Sequence, residues 1–272
     1  MKHYTLNTGR VIPSIGFGTW EITPDSDAKQ AVLAALEAGY RIIDTAKIYG
    51  NETGVGKAIR ESGIPREDIF LTTKLWNDDQ GYDRTLKACQ KSLERLGLDY
   101  LDLYLVHWPA TGKRRDSWRA FEKLQQDGAI KAAGVANYTV EHLQDLLQRS
   151  ELVPAVNQVE FHPFIYDEQK PLLKYCDQQG ILIEAYSPLS RVARMPSQPV
   201  TAIAGRLDKT PQQILLRWCL QHHTLPLPRS INPDHISGNL QIFDFELTKT
   251  DMTILDGLSD GQRVTWDPAG MG

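Results

Sequence analysis

The chain has 272 residues, with 30 Lys and Arg against 34 Asp and Glu, a formal net charge of −4. A chain of this length buries roughly 75% of its unfolded surface and needs no disulfide staples, and its slight acidity argues against a general nucleic-acid binder. Hydrophobic residues make up 41% and charged residues 24%, the balance of a globular protein rather than a disordered one.

Residues 4–6 and 10–12 flank Asn7-Thr8-Gly9 and predict a small N-terminal hairpin. A short apolar run at 14–17 follows, then a helical stretch at 28–38 closed by Gly39. Further apolar, β-rich runs recur at 41–44, 69–73, 101–106, 130–135, 155–159 and 181–185, with a shorter one at 224–227. Each is too short for a helix and too continuously apolar for a strand with one wet face, which suits strands buried on both faces. Between them, amphipathic stretches at 83–96, 116–126 and 169–179 end at or near Gly97, Gly128 and Gly180, and glycine closes helices because it accepts a left-handed backbone. Gly54 and Gly56 are placed in a helix ending near Gly63. About eight strands with helical crossovers predict a (β/α)₈ barrel preceded by a hairpin, with an open doubly wound sheet as the competitor. No composition shift or long linker divides the chain, so residues 1–272 are expected to form one domain. No apolar run approaches the roughly 20 residues of a membrane span. The first residues lack an apolar signal core, and Cys89, Cys176 and Cys219 form no spaced motif. A cytoplasmic protein is the expectation.

In a barrel of this kind the carboxyl ends of the strands build the active site. Asp44 closes the second predicted strand, Lys74 the third and His107 the fourth, and Tyr49 lies in the loop just after Asp44. Asn137 follows the fifth strand, Gln158 lies near the end of the sixth, and Tyr186-Ser187 follow the seventh. Singly, each has an ordinary explanation: a turn cap, a solvated lysine, a core histidine, a rim aromatic. An acid, a lysine, a histidine and a tyrosine at the ends of successive strands read better as a catalytic constellation.

The ordered motifs Gly16-Phe17-Gly18-Thr19-Trp20, Asp44-Thr45-Ala46-Lys47-Ile48-Tyr49-Gly50-Asn51-Glu52, Thr72-Thr73-Lys74-Leu75-Trp76 and Leu103-Tyr104-Leu105-Val106-His107-Trp108-Pro109 resemble those of the aldo-keto reductases. Gly134-Val135-Ala136-Asn137, Asn157-Gln158-Val159-Glu160, Ala185-Tyr186-Ser187-Pro188-Leu189 and Pro228-Arg229-Ser230 extend the resemblance over almost the whole chain. It is nearest to the bacterial subgroup containing 2,5-diketogluconate reductases. The resemblance implies a (β/α)₈ barrel that reduces small aldehydes or ketones with NADPH, NADH serving as a second cofactor. It maps a catalytic tetrad onto Asp44, Tyr49, Lys74 and His107. It implies that Asn137 and Gln158 bind the nicotinamide carboxamide and Tyr186 stacks on the ring. Gly18, Thr19 and Asp44 would also line the cofactor, with Ser187, Leu189, Arg229, Ser230, His235 and Asn239 towards its phosphates and adenosine. Trp20, Tyr49, Trp76, His107 and Trp108 would face the substrate. Ala136 stands where many relatives have serine, and the short stretch after Leu189 leaves little room for a loop folding over the cofactor. The family's NADPH users commonly place a lysine, then an arginine six positions later, at the adenosine phosphate. Arg229 and His235 occupy those positions, so one permanent charge has become conditional on pH.

The implied chemistry is coherent. Hydride transfer to a carbonyl develops charge on oxygen, and a neutral tyrosine hydroxyl can supply the proton. Free tyrosine titrates at about 10, so a neighbouring ammonium is expected to win over burial and lower it. Asp44 would keep Lys74 charged and oriented, and His107 would orient the carbonyl.

Other motifs fail. Gly16-x-Gly18 is followed by Glu21 where a dinucleotide fingerprint needs glycine, and Gly54-Val55-Gly56-Lys57 lacks the first glycine of a phosphate loop. His222-His223 has no further ligands at metal spacing. Lys113-Arg114-Arg115 reads as a solvated loop or a contact for an acidic substrate. A nucleotide-binding sensor with little turnover is the competing function, but a complete tetrad favours the enzyme. The chain is expected to act on a small carbonyl compound, as a monomer or else as an oligomer, with no nucleic-acid, membrane or metal partner. The placement of the tail after Asp260, with Trp266, does not follow from the sequence.

Overall fold

The structure, a computed structural model, describes residues 2–190 and 197–271. β1 (His3–Thr5) and β2 (Val11–Pro13) form the antiparallel hairpin, with Tyr4 opposite Ile12. Strands and helices then alternate: β3 (Phe17–Gly18), α1 (Asp25–Ala38), β4 (Ile42–Asp44), α2 (Glu52–Glu61), β5 (Phe70–Leu75), α3 (Tyr82–Leu96), β6 (Leu103–Val106), α4 (Arg114–Gln126), β7 (Ala133–Ala136), α5 (Val140–Leu147), β8 (Val156–Glu160), α6 (Tyr166–Gln178) and β9 (Leu182–Tyr186). α7 (Gln198–Leu207) and α8 (Pro211–Gln221) precede β10 (Leu225–Pro226), and α9 (Pro233–Gly238) and α10 (Lys249–Asp256) complete the chain. β3 to β10 form one parallel eight-stranded sheet in sequence order. The Gly16 and Gly18 N–H groups donate to the Pro226 and Pro228 carbonyls, each at 3.0 Å. These bonds join the first strand to the last and close the sheet into a barrel.

Successive side chains on a strand face opposite sides, and the buried residues sort accordingly. Ile42, Phe70, Leu103, Leu105, Val156 and Leu225 form one cluster inside the barrel, joined by Leu6 and Ile12 of the hairpin. Several of these open their strands, so the hairpin plugs the amino-terminal end. Arg10 Nη2 tethers it there by donating to buried Asp102 at 2.7 Å. The alternate residues Ile43, Leu71, Val135, Val159 and Ile183 face outward and pack with Val32, Val55, Phe121, Leu143 and Leu172 of the helices. The helix α2 packs on α1 and α3 because Gly54 and Gly56 carry no side chain. A β-carbon at Gly54 would overlap the Asp25 carbonyl, and one at Gly56 the Leu96 carbonyl. No helix of the described residues is long and apolar enough to cross a membrane.

Candidate active site

Along the inner face, β4, β5, β6, β8 and β9 change from apolar to polar residues towards their carboxyl ends. Ile42 is followed two residues on by Asp44, Leu105 by His107 and Val156 by Gln158, while Phe70 leads to Lys74 and Leu182 to Glu184 and Tyr186. The lower residues make the barrel core, and the upper ones meet at the carboxyl end beneath a cavity of about 1040 Å³. Asp44, Tyr49, His107, Gln158 and Tyr186 line it, and Lys74 lies fully buried behind Asp44 and Tyr49.

Lys74 uses all three ammonium protons. Nζ donates to Asp44 Oδ1 at 2.7 Å, to the Thr45 carbonyl at 3.0 Å and to the Tyr49 hydroxyl at 3.2 Å. Burial works against this charge, but Asp44 and Tyr49 outweigh it and hold the ammonium above its ordinary pKa. Tyr49 ends a short 3₁₀ turn, Lys47–Tyr49, that follows β4. Burial pushes its hydroxyl above the ordinary tyrosine value, and Lys74, the next largest influence, pulls it back only in part. The sequence-based expectation that the lysine would win is therefore reversed: Tyr49 is held protonated. His107 follows β6 and packs edge-on against Tyr49 and Trp76, with ring centroids 5.9 and 5.2 Å away. Burial and then the Lys74 charge hold it well below the usual imidazole range, so it is neutral at pH 7.

Along the cavity, Asn137 sits at the end of β7 with a left-handed backbone, φ 63°. Its Nδ2 donates to the His107 carbonyl at 2.9 Å, and its Oδ1 accepts from the Tyr186 hydroxyl at 2.8 Å. This fixes the Tyr186 ring against the barrel mouth. Gly18, Ser187, Leu189, Arg229, Ser230 and His235 also line the cavity, as do Trp20, Trp76 and Trp108. Thr19 and Asn239, expected among the cofactor contacts, do not reach the cavity. The Thr19 hydroxyl and amide both turn inward to the Asp44 carbonyl, at 2.9 and 3.0 Å, and Asn239 is buried where its amide meets the His235 carbonyl. Lys113, Arg114 and Arg115 also lie off the cavity, at the start of α4. The short loop expected after Leu189 falls on residues 191–196, outside the described residues.

Three contributors escape sequence reasoning. Glu21 crosses the groove to bind Arg229, Oε2 to Nη2 at 2.9 Å, a pairing over 208 positions. Buried Glu184 joins the polar layer beneath the cavity. The carboxyl-terminal tail returns over the mouth, where Glu160 at the end of β8 accepts hydrogen bonds from the Val264 and Thr265 amides and the Thr265 hydroxyl. The anchored tail brings Arg263 and Trp266 into the lining, with Trp266 packed on Trp108 at a centroid distance of 5.7 Å. A fully buried carboxylate needs partners, so Glu160 within an apolar strand was the available signal for the tail. Among the described residues, no group of His, Cys, Asp and Glu could hold a metal ion. His222 instead bonds Asp256 at 2.9 Å.

A sequence profile of the Aldo/keto reductase family matches residues 14–194 and 193–260. Glyoxal reductase of Bacillus subtilis (strain 168) is 49% identical over 263 residues, covering 97% of this chain and 95% of that one. The crystal structure of an aldo-keto reductase from a Medee basin deep-sea metagenome library superimposes with a TM-score of 0.93 at 43% identity, covering 98% of both chains. A Bombyx mori aldo-keto reductase solved in complex with NADP gives a TM-score of 0.91 at 34% identity, covering 97% of this chain and 94% of that one.

Proposed function

This chain belongs to the aldo/keto reductase family, and from that premise we propose that it reduces small aldehydes or ketones with NADPH, Tyr49 supplying the proton. The observation that carries the proposal is the hydrogen-bonded chain Asp44–Lys74–Tyr49 in the cavity wall. The Bacillus relative is named a glyoxal reductase, which supports a small reactive carbonyl as substrate.

The residues present fit a nicotinamide dinucleotide. Tyr186 offers a ring held by Asn137, Gln158 and Asn137 offer amide groups, and Arg229, Ser230 and His235 offer polar and cationic groups further along the groove. NADPH, when bound, supplies the hydride. Tyr49 then donates its proton to the carbonyl oxygen as negative charge develops there. Its hydroxyl stays protonated until that moment because burial outweighs the lysine charge. As the proton leaves, Lys74 stabilises the tyrosinate across the 3.2 Å hydrogen bond, and Asp44 keeps the ammonium charged and aimed. His107 is neutral and so is no competing acid, but its single ring N–H can orient the carbonyl. Trp20, Trp76, Trp108 and Trp266 offer apolar surface to the substrate in the same cavity.

Purified protein with NADPH and a small reactive aldehyde should show steady loss of nicotinamide absorbance. Cofactor binding, seen as quenched tryptophan fluorescence, with no turnover across an aldehyde and ketone panel would instead favour a nucleotide sensor.

The Glu21–Arg229 pair bears on cofactor choice. Its carboxylate competes with the adenosine 2′-phosphate of NADPH for Arg229 and repels it, while NADH carries no such phosphate. Both side chains are roughly half exposed, so solvent screens the effect to less than about 1 kcal/mol. Glu21→Gln should raise the NADPH/NADH ratio of kcat/KM by up to about fivefold. His235→Arg, which restores a permanent charge, should raise it by up to about tenfold. Ratios unchanged in both variants would place the phosphate elsewhere.

A further inference from the structure

Glu184 has no part in the chemistry above. It is fully buried on the inner face of β9, two residues below Tyr186 and directly across the ladder from Gln158. Its Oε2 accepts a hydrogen bond from Gln158 Nε2 at 2.8 Å, and its Oε1 has no hydrogen-bond partner among the described residues. The same Gln158 nitrogen donates to Asp44 Oδ2 at 2.8 Å. An amide nitrogen has two protons, and ionised carboxylates only accept. Chemistry therefore fixes the amide orientation. With both protons committed, the side chain has one polar atom left to offer the cavity, its carbonyl oxygen. Asp44 meets the amide nitrogen at the same distance as Glu184 and bonds Lys74 through its other oxygen.

We propose that Glu184 is a positioning residue, which holds the Gln158 amide nitrogen inward so that Gln158 presents an acceptor to the carboxamide N–H of the nicotinamide. The proposal rests on the cofactor assignment above. It also carries a pH dependence. Burial, and then the Asp44 charge from β4, push Glu184 up to about 7, against the Gln158 hydrogen bond and the Lys74 charge from β5. From β10 the ladder partner is apolar Leu225. An ionised Glu184 excludes the flipped amide, whereas the neutral acid can donate to its oxygen. The lock holds above this pH and loosens below it.

The test compares two ligands. NADPH has an uncharged nicotinamide ring, so the carboxylate acts on it through Gln158 rather than by direct attraction. 2′-Phospho-ADP-ribose lacks that ring and reports the adenosine end alone. Their dissociation constants are measured by fluorescence in wild type and Glu184→Gln, from about pH 6 to about pH 8. At the upper pH, Glu184→Gln should weaken NADPH roughly five- to tenfold and leave the ringless ligand unchanged. The wild-type preference for NADPH over the fragment should rise with pH through about 7, and the variant's should stay flat. A ratio of the two constants that is equal in wild type and variant, or a wild-type ratio flat with pH, overturns the proposal. A variant that fails to fold loses both ligands, and the wild-type pH series then decides alone. Wild type that binds neither ligand overturns the cofactor assignment itself, and this inference with it.

Discussion

Tyr49→Phe should lower kcat for carbonyl reduction by about 10²–10⁴-fold, with cofactor affinity unchanged. The substitution keeps the ring and its edge-on contact with His107, and removes only the hydroxyl. Lys74 retains its bonds to Asp44 and the Thr45 carbonyl, so the charged pair behind the ring survives. His107 cannot substitute as the acid, because burial and Lys74 hold it neutral. The measurement is kcat with an isotopically labelled hydride donor, which establishes that chemistry limits the rate. A variant keeping more than about a third of wild-type kcat under that condition would remove Tyr49 from the acid role. In the wild type, Tyr49 sits above its ordinary value. Reduction should therefore run level through neutral pH, as far as this group governs it, and fall only as strongly alkaline conditions ionise the hydroxyl.

The barrel is legible because its strands are buried on both faces and its crossover helices stop at glycine. Gly39 and Gly97 hold left-handed backbone, at φ 109° and 65°, where α1 and α3 end. Strand limits are less legible, because apolarity reports burial rather than ladder pairing. The runs at 101–106 and 130–135 begin early: Leu101 and Ile130 meet in an isolated bridge, and β6 and β7 start only at Leu103 and Ala133. The helices after β9 were not foreseen. α8 is buried from Gln213 to Leu220, so it lacks the polar stripe that marks an amphipathic helix.

The convergence of Asp44, Tyr49, Lys74 and His107 was legible for a local reason: each lies at or near the end of a strand or follows one by a few residues. What was missed depends on distance or on occupancy of the interior. The Glu21–Arg229 pair joins opposite ends of the chain and leaves no periodic trace. Glu184 was hidden inside the run 181–185, although a carboxylate in a strand otherwise buried on both faces is itself a signal. The tail has no pattern of its own, and it is placed by Glu160, which draws the Val264 and Thr265 amides onto the mouth.

Lys74→Met tests the electrostatics from the other side, and two effects must be separated. The first is stability. The Lys74 and Asp44 side chains are 0% and 6% exposed, so methionine strands a buried carboxylate, a change that typically costs about 3–5 kcal/mol. The second is chemistry. Lys74 lowers the Tyr49 pKa against the larger effect of burial, so its removal raises that pKa further and leaves the tyrosinate formed during turnover without a cation. Because the acid becomes weaker, kcat should fall by at least about 10²-fold. The alkaline fall in rate should move to still higher pH. Lys74→Met with Asp44→Asn removes the stranded charge, so the double variant should regain much of the lost stability in chemical denaturation. It should regain almost none of the rate, since the cation beside Tyr49 is still missing. Recovery of rate in step with stability would reduce Lys74 to a structural partner of Asp44. An alkaline limb that stays in place in the single variant would show that its charge never reaches the tyrosine.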